Sequence, residues 1–111
     1  MSNIILHVPE CDRLQTAIFN AKNFLKEMKR PEEGRVIIII NGDAVNHFVR
    51  NLLESDFISN APHQVRFLLC RNSLVSQNIH EEGLHSRAVV VPAAIVEIVR
   101  LQDEGYIYVR S

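Results

Sequence analysis

The chain has 111 residues, a formal net charge of -1 at pH 7 and a hydrophobic content of 47%. That length fits one domain with a modest core, and the balance of charge and hydrophobicity fits an ordinary soluble globular class. A charge near zero, no Trp and only two Tyr argue against a basic nucleic-acid face, electrostatic membrane binding or a stacking platform for single strands. Cys11 and Cys70 are the two cysteines, without CxxC or metal-type spacing, a pattern that fits free thiols in a reducing compartment. The first residues enter an apolar strand with no charged leader, and the apolar runs are too short to span a membrane, so a cytoplasmic location is expected.

In chain order, Asn3–Val8 reads as a strand closed by Pro9, and Asp12 is a candidate N-cap for the next segment. Leu14, Ala17, Ile18, Ala21, Leu25 and Met28 recur at helical spacing between Arg13 and Lys29, and Pro31 and Gly34 mark the end of that helix. Val36–Ile40 is a continuous β-branched run, as expected of a central parallel strand covered on both faces. Asn41-Gly42 ends it. Ala44, Val45, Phe48, Val49, Leu52 and Leu53 then predict a helix, and Ser55–His63 a loop or ragged helix end.

Gln64–Cys70 predicts a strand and Leu74–His80 a short helix with Ser73 as its N-cap, stopped by Gly83. Ala88–Val91 reads as a further buried strand, and Pro92 as the opening of a helix that Gly105 closes. Tyr106–Val109 completes a βαβαβαβαβ order. That order predicts a single domain over residues 1–111, an α/β fold with a largely parallel five-stranded sheet.

In such a sheet, ligands are met at the carboxyl edge of the strands. Four loops gather there: His7–Asp12, Asn41–Ala44, Cys70–Ser73 and Val91–Pro92. Cys70, Asn41, Asn72, Ser73 and Asp43 come together, with His7 and Cys11 as further members of that neighbourhood. Cys70 stands where a strand ends and a helix begins, a position that favours thiolate over thiol. Arg71 adds positive charge if its head turns inward. Asn41, Asn72 and Ser73, with backbone N–H groups, could hold an anion or the oxygens of a sulfur oxyanion. The other reading of Cys70 is a small side chain that simply packs at a strand end.

Other chemistries find less support. His80, Glu81, Glu82 and His85 read HExxxH rather than HExxH, which puts the histidines on different helix faces, so no metal site is expected. GxSxG, phosphate-loop and GxGxxG patterns do not occur, against hydrolase, NTPase and dinucleotide readings, and no cofactor is expected. Cys11 could resolve a mixed disulfide at Cys70, but reads first as an incidental thiol near a helix start.

Asn41-Gly42-x-Ala44-Val45, Cys70-x-Asn72-Ser73-Leu74, Val91-Pro92-Ala93 and Gln102-x-Glu104-Gly105-Tyr106-x-Tyr108 together resemble the DsrE/DsrF-like family, in order and over the whole chain. The resemblance implies a three-layer α/β/α sandwich and a homo-oligomer, trimer or hexamer. It also implies kinship with small proteins that pass sulfur along as a cysteine persulfide, with donor and acceptor proteins as partners. Cys70 takes the sulfur-bearing role, and Asn41, Asn72 and Ser73 match motif positions read as structural or anion-holding. Ala94 stands where the family's glycine is expected after Pro-Ala, which narrows the loop beside the site.

Two functions follow as expectations. The first is a sulfur carrier or sulfurtransferase in which Cys70 holds a persulfide and hands it on. The alternative is a non-catalytic binding or regulatory module with an anion or metabolite pocket at the carboxyl edge. A redox sensor using Cys11 and Cys70 is a third possibility. The loop Asp56–His63, with Phe57 and Ile58, is a candidate oligomer contact.

Overall fold

Val36–Ile40 is buried at all five positions, as a strand packed on both faces must be. It is the middle strand of the sheet formed by β1 (Ile4–Val8), β2 (Val36–Ile40), β3 (Val65–Cys70), β4 (Ala88–Val91) and β5 (Ile107–Arg110). The structure, a computed structural model, describes residues 3–49 and 55–111. The strand order is β4-β3-β2-β1-β5, and every pairing is parallel. All five strands therefore end at the same edge, where the turns into the following segments collect.

Alternation along the strands divides the core in two. Ile4, Leu6, Val8, Val36, Ile38, Ile40, Phe67 and Leu69 face α1 (Leu14–Glu27), with Phe48, Ile58 and Leu74 packed on the same side. Ile5, Ile37, Ile39, Leu68, Cys70 and Val91 face α4 (Ala94–Asp103), which contributes Ala94, Ile98 and Leu101. The result is the expected three-layer α/β/α sandwich. α1 buries Leu14, Ala17, Ile18, Ala21 and Leu25, the stripe its spacing predicts. α4 ends in a Schellman turn at Gly105, whose φ is +98°. The Gly105 N–H donates to the Gln102 carbonyl, and the Tyr106 N–H to that of Leu101.

Several local expectations are corrected. The segment after Asn41 is a 3₁₀ stretch, Gly42–Phe48, instead of an α-helix. Its Ala44, Val45 and Phe48 are buried, and Val49 leaves it to bridge Leu84. Leu52 and Leu53 lie outside the described residues. α2 (Ser55–Ser59) occupies part of the expected loop, and its Ile58 is buried in the core and so cannot serve as a surface contact. α3 (Arg71–Ser76) starts three residues earlier than predicted, and Asn78, at φ 58°, ends the turn long before Gly83. β4 is an edge strand, with Val89 41% exposed, where burial on both faces was expected. Pro92 precedes α4, whose N-cap position is Ala93.

Arg87 was not singled out from the sequence, yet it ties α2, the following turn and β3 together. Its guanidinium donates to the carbonyl oxygens of Ile58 at 2.9 Å, Ala61 at 2.6 Å, Pro62 at 3.0 Å and Val65 at 2.7 Å. It also lies 5.2 Å from the centre of the Phe67 ring. Burial lowers its affinity for the proton, but a guanidinium does not deprotonate in a protein, so its charge is met by carbonyl dipoles. Replacing Arg87 with Ala should destabilise the fold by about 2–3 kcal/mol, because several carbonyls lose a charged donor at once. Arg87→Lys should recover only part of this, since an ammonium cannot span four acceptors. Urea unfolding followed by circular dichroism measures both; equal stability of Arg87→Ala and wild type would contradict the assignment.

Candidate functional site

Cys70 is the last residue of β3 and occupies the N-cap position of α3, with extended backbone angles (φ -75°, ψ 119°). Its side chain faces α4 and is 6% exposed. The expected helix start is therefore present but shifted: the cysteine itself, and not Ser73, stands at the cap. Strand geometry explains the shift. β3 ends in register with Val91, and the chain turns into helix directly after this last paired residue.

Two helix starts converge on the sulfur. Burial pushes the Cys70 thiol up, but the N–H groups of Ala94, Ser73 and Asn72, together with the Ser73 hydroxyl, act the other way, and the net effect is a thiol held below its ordinary value. Asn72 and Ser73 belong to the first turn of α3, and Ala94 is the first residue of α4. The sulfur forms no side-chain capping hydrogen bond. These donors therefore act mainly as oriented dipoles that favour the ionised form.

Ser73 has a second role. Its Oγ accepts the Gly42 N–H at 2.9 Å, tying the turn after β2 to the first turn of α3. Gly42 has φ +61°, and a Cβ there would stand 2.6 Å from the Pro9 carbonyl oxygen, so both the backbone angle and the neighbour demand glycine. Asn41 precedes this turn; its Oδ1 lies 3.0 Å from His7 Nε2, and His7 Nδ1 lies 2.6 Å from the Tyr108 hydroxyl.

Of the four sequence-predicted site residues, Ser73 reaches Cys70 through its hydroxyl, whereas the Asn41 side chain bonds His7 at the same edge. Asn72 contributes its backbone N–H, while its side chain is exposed. Arg71 turns away from the sulfur and pairs with Glu81 at 2.8 Å. The HExxxH stretch is likewise dispersed: Glu81 is taken by Arg71, and His85 bonds Ser59 at 2.8 Å. Cys11 sits against His47, its sulfur 3.2 Å from Nε2, and the same nitrogen also bonds the Cys11 carbonyl oxygen. A carbonyl only accepts, so Nε2 carries a proton toward it, and that nitrogen is not a base for the thiol. Neither cysteine is in a disulfide. What the sequence left unseen is the row from Tyr108 through His7 to Asn41, which only the adjacency of β5, β1 and β2 creates.

Among solved structures, the chain is similar to a protein of unknown function from Methanobacterium thermoautotrophicum, with 25% sequence identity, a TM-score of 0.87 and 100% of each chain covered. No family model and no curated protein matches the chain. The structural likeness supports the sandwich architecture over its full length. Among the described residues, no helix is long and apolar enough to cross a membrane.

The lowered Cys70 thiol has a direct kinetic consequence. Its alkylation rate should rise with pH to a midpoint below the roughly 8.5 of a free cysteine. Ser73→Ala removes one of the groups that favour the thiolate, so it should raise that midpoint and slow labelling at neutral pH. It also leaves the Gly42 N–H without its acceptor, costing about 1 kcal/mol of stability. Iodoacetamide labelling with peptide mass analysis separates Cys70 from Cys11; a Ser73→Ala midpoint equal to or below that of wild type would contradict this electrostatic account.

Proposed function

We propose that the protein is a sulfur carrier of the DsrE/DsrF-like kind, holding transferable sulfur as a persulfide on Cys70. The observation that supports this most is the convergence of two helix starts on that one sulfur. In the loading step the Cys70 thiolate attacks the outer sulfur of a donor persulfide, R–S–SH. The donor's S–S bond breaks, a new Cys70–S–SH bond forms, and the electron pair leaves with R–S⁻. Delivery is the same exchange with an acceptor thiolate attacking the outer sulfur and Cys70 as leaving group. A lowered thiol serves both directions: more thiolate is present to attack, and a more acidic thiol leaves faster. Donor and acceptor proteins are the expected partners.

A second reading rests on the 6% exposure of Cys70. Here the cysteine only packs, and the carboxyl edge serves a non-catalytic binding or regulatory module. The two readings part on chemistry. Incubation with a polysulfide or thiosulfate should add one sulfur mass to the peptide carrying Cys70, and Cys70→Ser should abolish the addition. Equal labelling at Cys11, or an unlabelled protein, would favour the packing reading.

The carrier is further proposed to be a homo-oligomer, trimer or hexamer, formed with copies of itself. Beyond its buried Ala94, Ile98 and Leu101, α4 carries the apolar Ile95, Val96 and Val99, which are 68%, 63% and 54% exposed. A cluster of exposed apolar side chains on one helix is the kind of surface that association covers. Size-exclusion chromatography with light scattering should give a multiple of the 12.7 kDa chain mass, and Val99→Glu should reduce it to the monomer. A monomeric wild type would contradict the proposal.

A further inference from the structure

The row Tyr108–His7–Asn41 ends beside the site. β1, β2 and β5 bring it together: His7 pairs with Ile39 and Arg110, and Ile5 with Tyr108, so the three side chains share the α4 face of the sheet. Ile40 pairs with Leu69. Continued one step along both strands, this register sets Asn41 opposite Cys70, on strands spaced about 4.8 Å apart. Asn41 keeps extended angles (φ -138°, ψ -174°) and its N–H still bonds the Val8 carbonyl, so the ladder with β1 continues up to it.

The hydrogen bonds fix which way the Asn41 amide faces. An amide oxygen only accepts, so His7 Nε2 must donate to Oδ1. Neutral His7 then has a lone pair at Nδ1, which accepts the Tyr108 O–H. With Oδ1 held by His7, the Nδ2 donors point to the other side of the amide, and they have no protein partner among the described residues. Asn41 is not among the groups that act on the Cys70 thiol itself. A persulfide, however, carries its outer sulfur about 2 Å beyond Sγ. The charged groups nearest His7 are Arg110, opposite it in register, and Glu10, with which Arg110 is paired.

We propose that His7 and Tyr108 are positioning residues that orient the Asn41 amide as a hydrogen-bond donor to the outer, transferable sulfur of a Cys70 persulfide. This inference rests on the carrier reading. It assigns Asn41 to the cargo sulfur, while the helix-start amides serve the sulfur of the protein. Tyr108 fixes the tautomer of His7, His7 fixes the amide, and the amide stabilises the ionised persulfide. Asn41 is then the group in contact with the substrate sulfur, and His7 and Tyr108 act through it.

The test uses the full chain loaded with inorganic polysulfide. Loading is read by mass at Cys70, persulfide ionisation by its near-ultraviolet absorbance against pH, and thiol ionisation by the alkylation profile of the unloaded protein. Relative to wild type, Asn41→Ala should move the persulfide midpoint upward by about one unit, the size expected for a hydrogen bond to a charged group, and His7→Leu and Tyr108→Phe should move it in the same direction by less. The thiol midpoint should not move. His7→Gln, which keeps a donor toward Oδ1, should return most of the shift. Tyr108 is 36% exposed, so its Phe variant tests the row without opening the core. If wild type takes up no sulfur, the carrier reading falls and this inference with it. If wild type loads but the persulfide midpoint is the same in all variants, the positioning role is wrong and the carrier reading stands. A shift of thiol and persulfide midpoints together would also overturn it, placing Asn41 on Cys70's own sulfur.

Discussion

Parallel pairing of β2 with both neighbours is the constraint on which the rest depends. The five consecutive buried residues of Val36–Ile40 leave no face for water, so the strand is stable only with helices above and below and partners on both sides. Parallel partners require a crossover between each pair of strands, and every crossover leaves from the same edge. The ends of β1, β2 and β3 thus come within one or two strand spacings of each other. Asn41, Cys70 and the turn carrying Pro9 are neighbours because the ladder makes them so, although 31 residues separate Gly42 from Ser73.

At that edge, two opposing effects act on Cys70. Loss of water disfavours the thiolate, while amide and hydroxyl dipoles favour it, and the dipoles prevail. The consequence for stability has a definite sign. A folded-state thiol held below its ordinary value adds stability that is full above the ordinary range and is lost as the pH falls through the folded value. Below its folded titration range, Cys70 therefore contributes chiefly as a packed side chain between Leu68, Val91 and Ala94. The same atom can serve packing and chemistry because its protonation state separates the two.

The fold was legible in the sequence wherever burial and period agreed. α1 and β2 follow directly from the Leu14–Leu25 stripe and the isoleucine run, and Gly105 marks the end of α4 by the one backbone angle a turn there requires. Where tertiary packing decides, the local signal misled. Ala44, Val45 and Phe48 are spaced as a helix would space them, yet the chain there is drawn into a tighter 3₁₀ path before Val49 bridges Leu84. Ser73 is a good cap by type, but the chain turns into helix directly after the last paired residue of β3, so Cys70 holds the cap position and the Ser73 hydroxyl accepts the Gly42 N–H. Arg87 and the Tyr108–His7–Asn41 row carry no local pattern at all. Each is defined by carbonyls or strands brought together from distant parts of the chain.

These departures share a cause that bears on how the site is built. Ser73 Oγ bonds the Gly42 N–H and also favours the Cys70 thiolate, so the turn after β2 and the helix after β3 form one frame. Gly42 can enter that frame only because it has no Cβ against the Pro9 carbonyl, which brings the turn after β1 into it as well. Three successive βα turns thereby fix one another through backbone groups, and the side chains they carry inherit positions that no single spacing in the sequence encodes. A site of this kind is specified by strand order and turn geometry. It follows that a short segment such as Cys70–Leu74 can suggest the chemistry, whereas the donors that would act on the sulfur come from α4 and the turn after β2 as much as from α3.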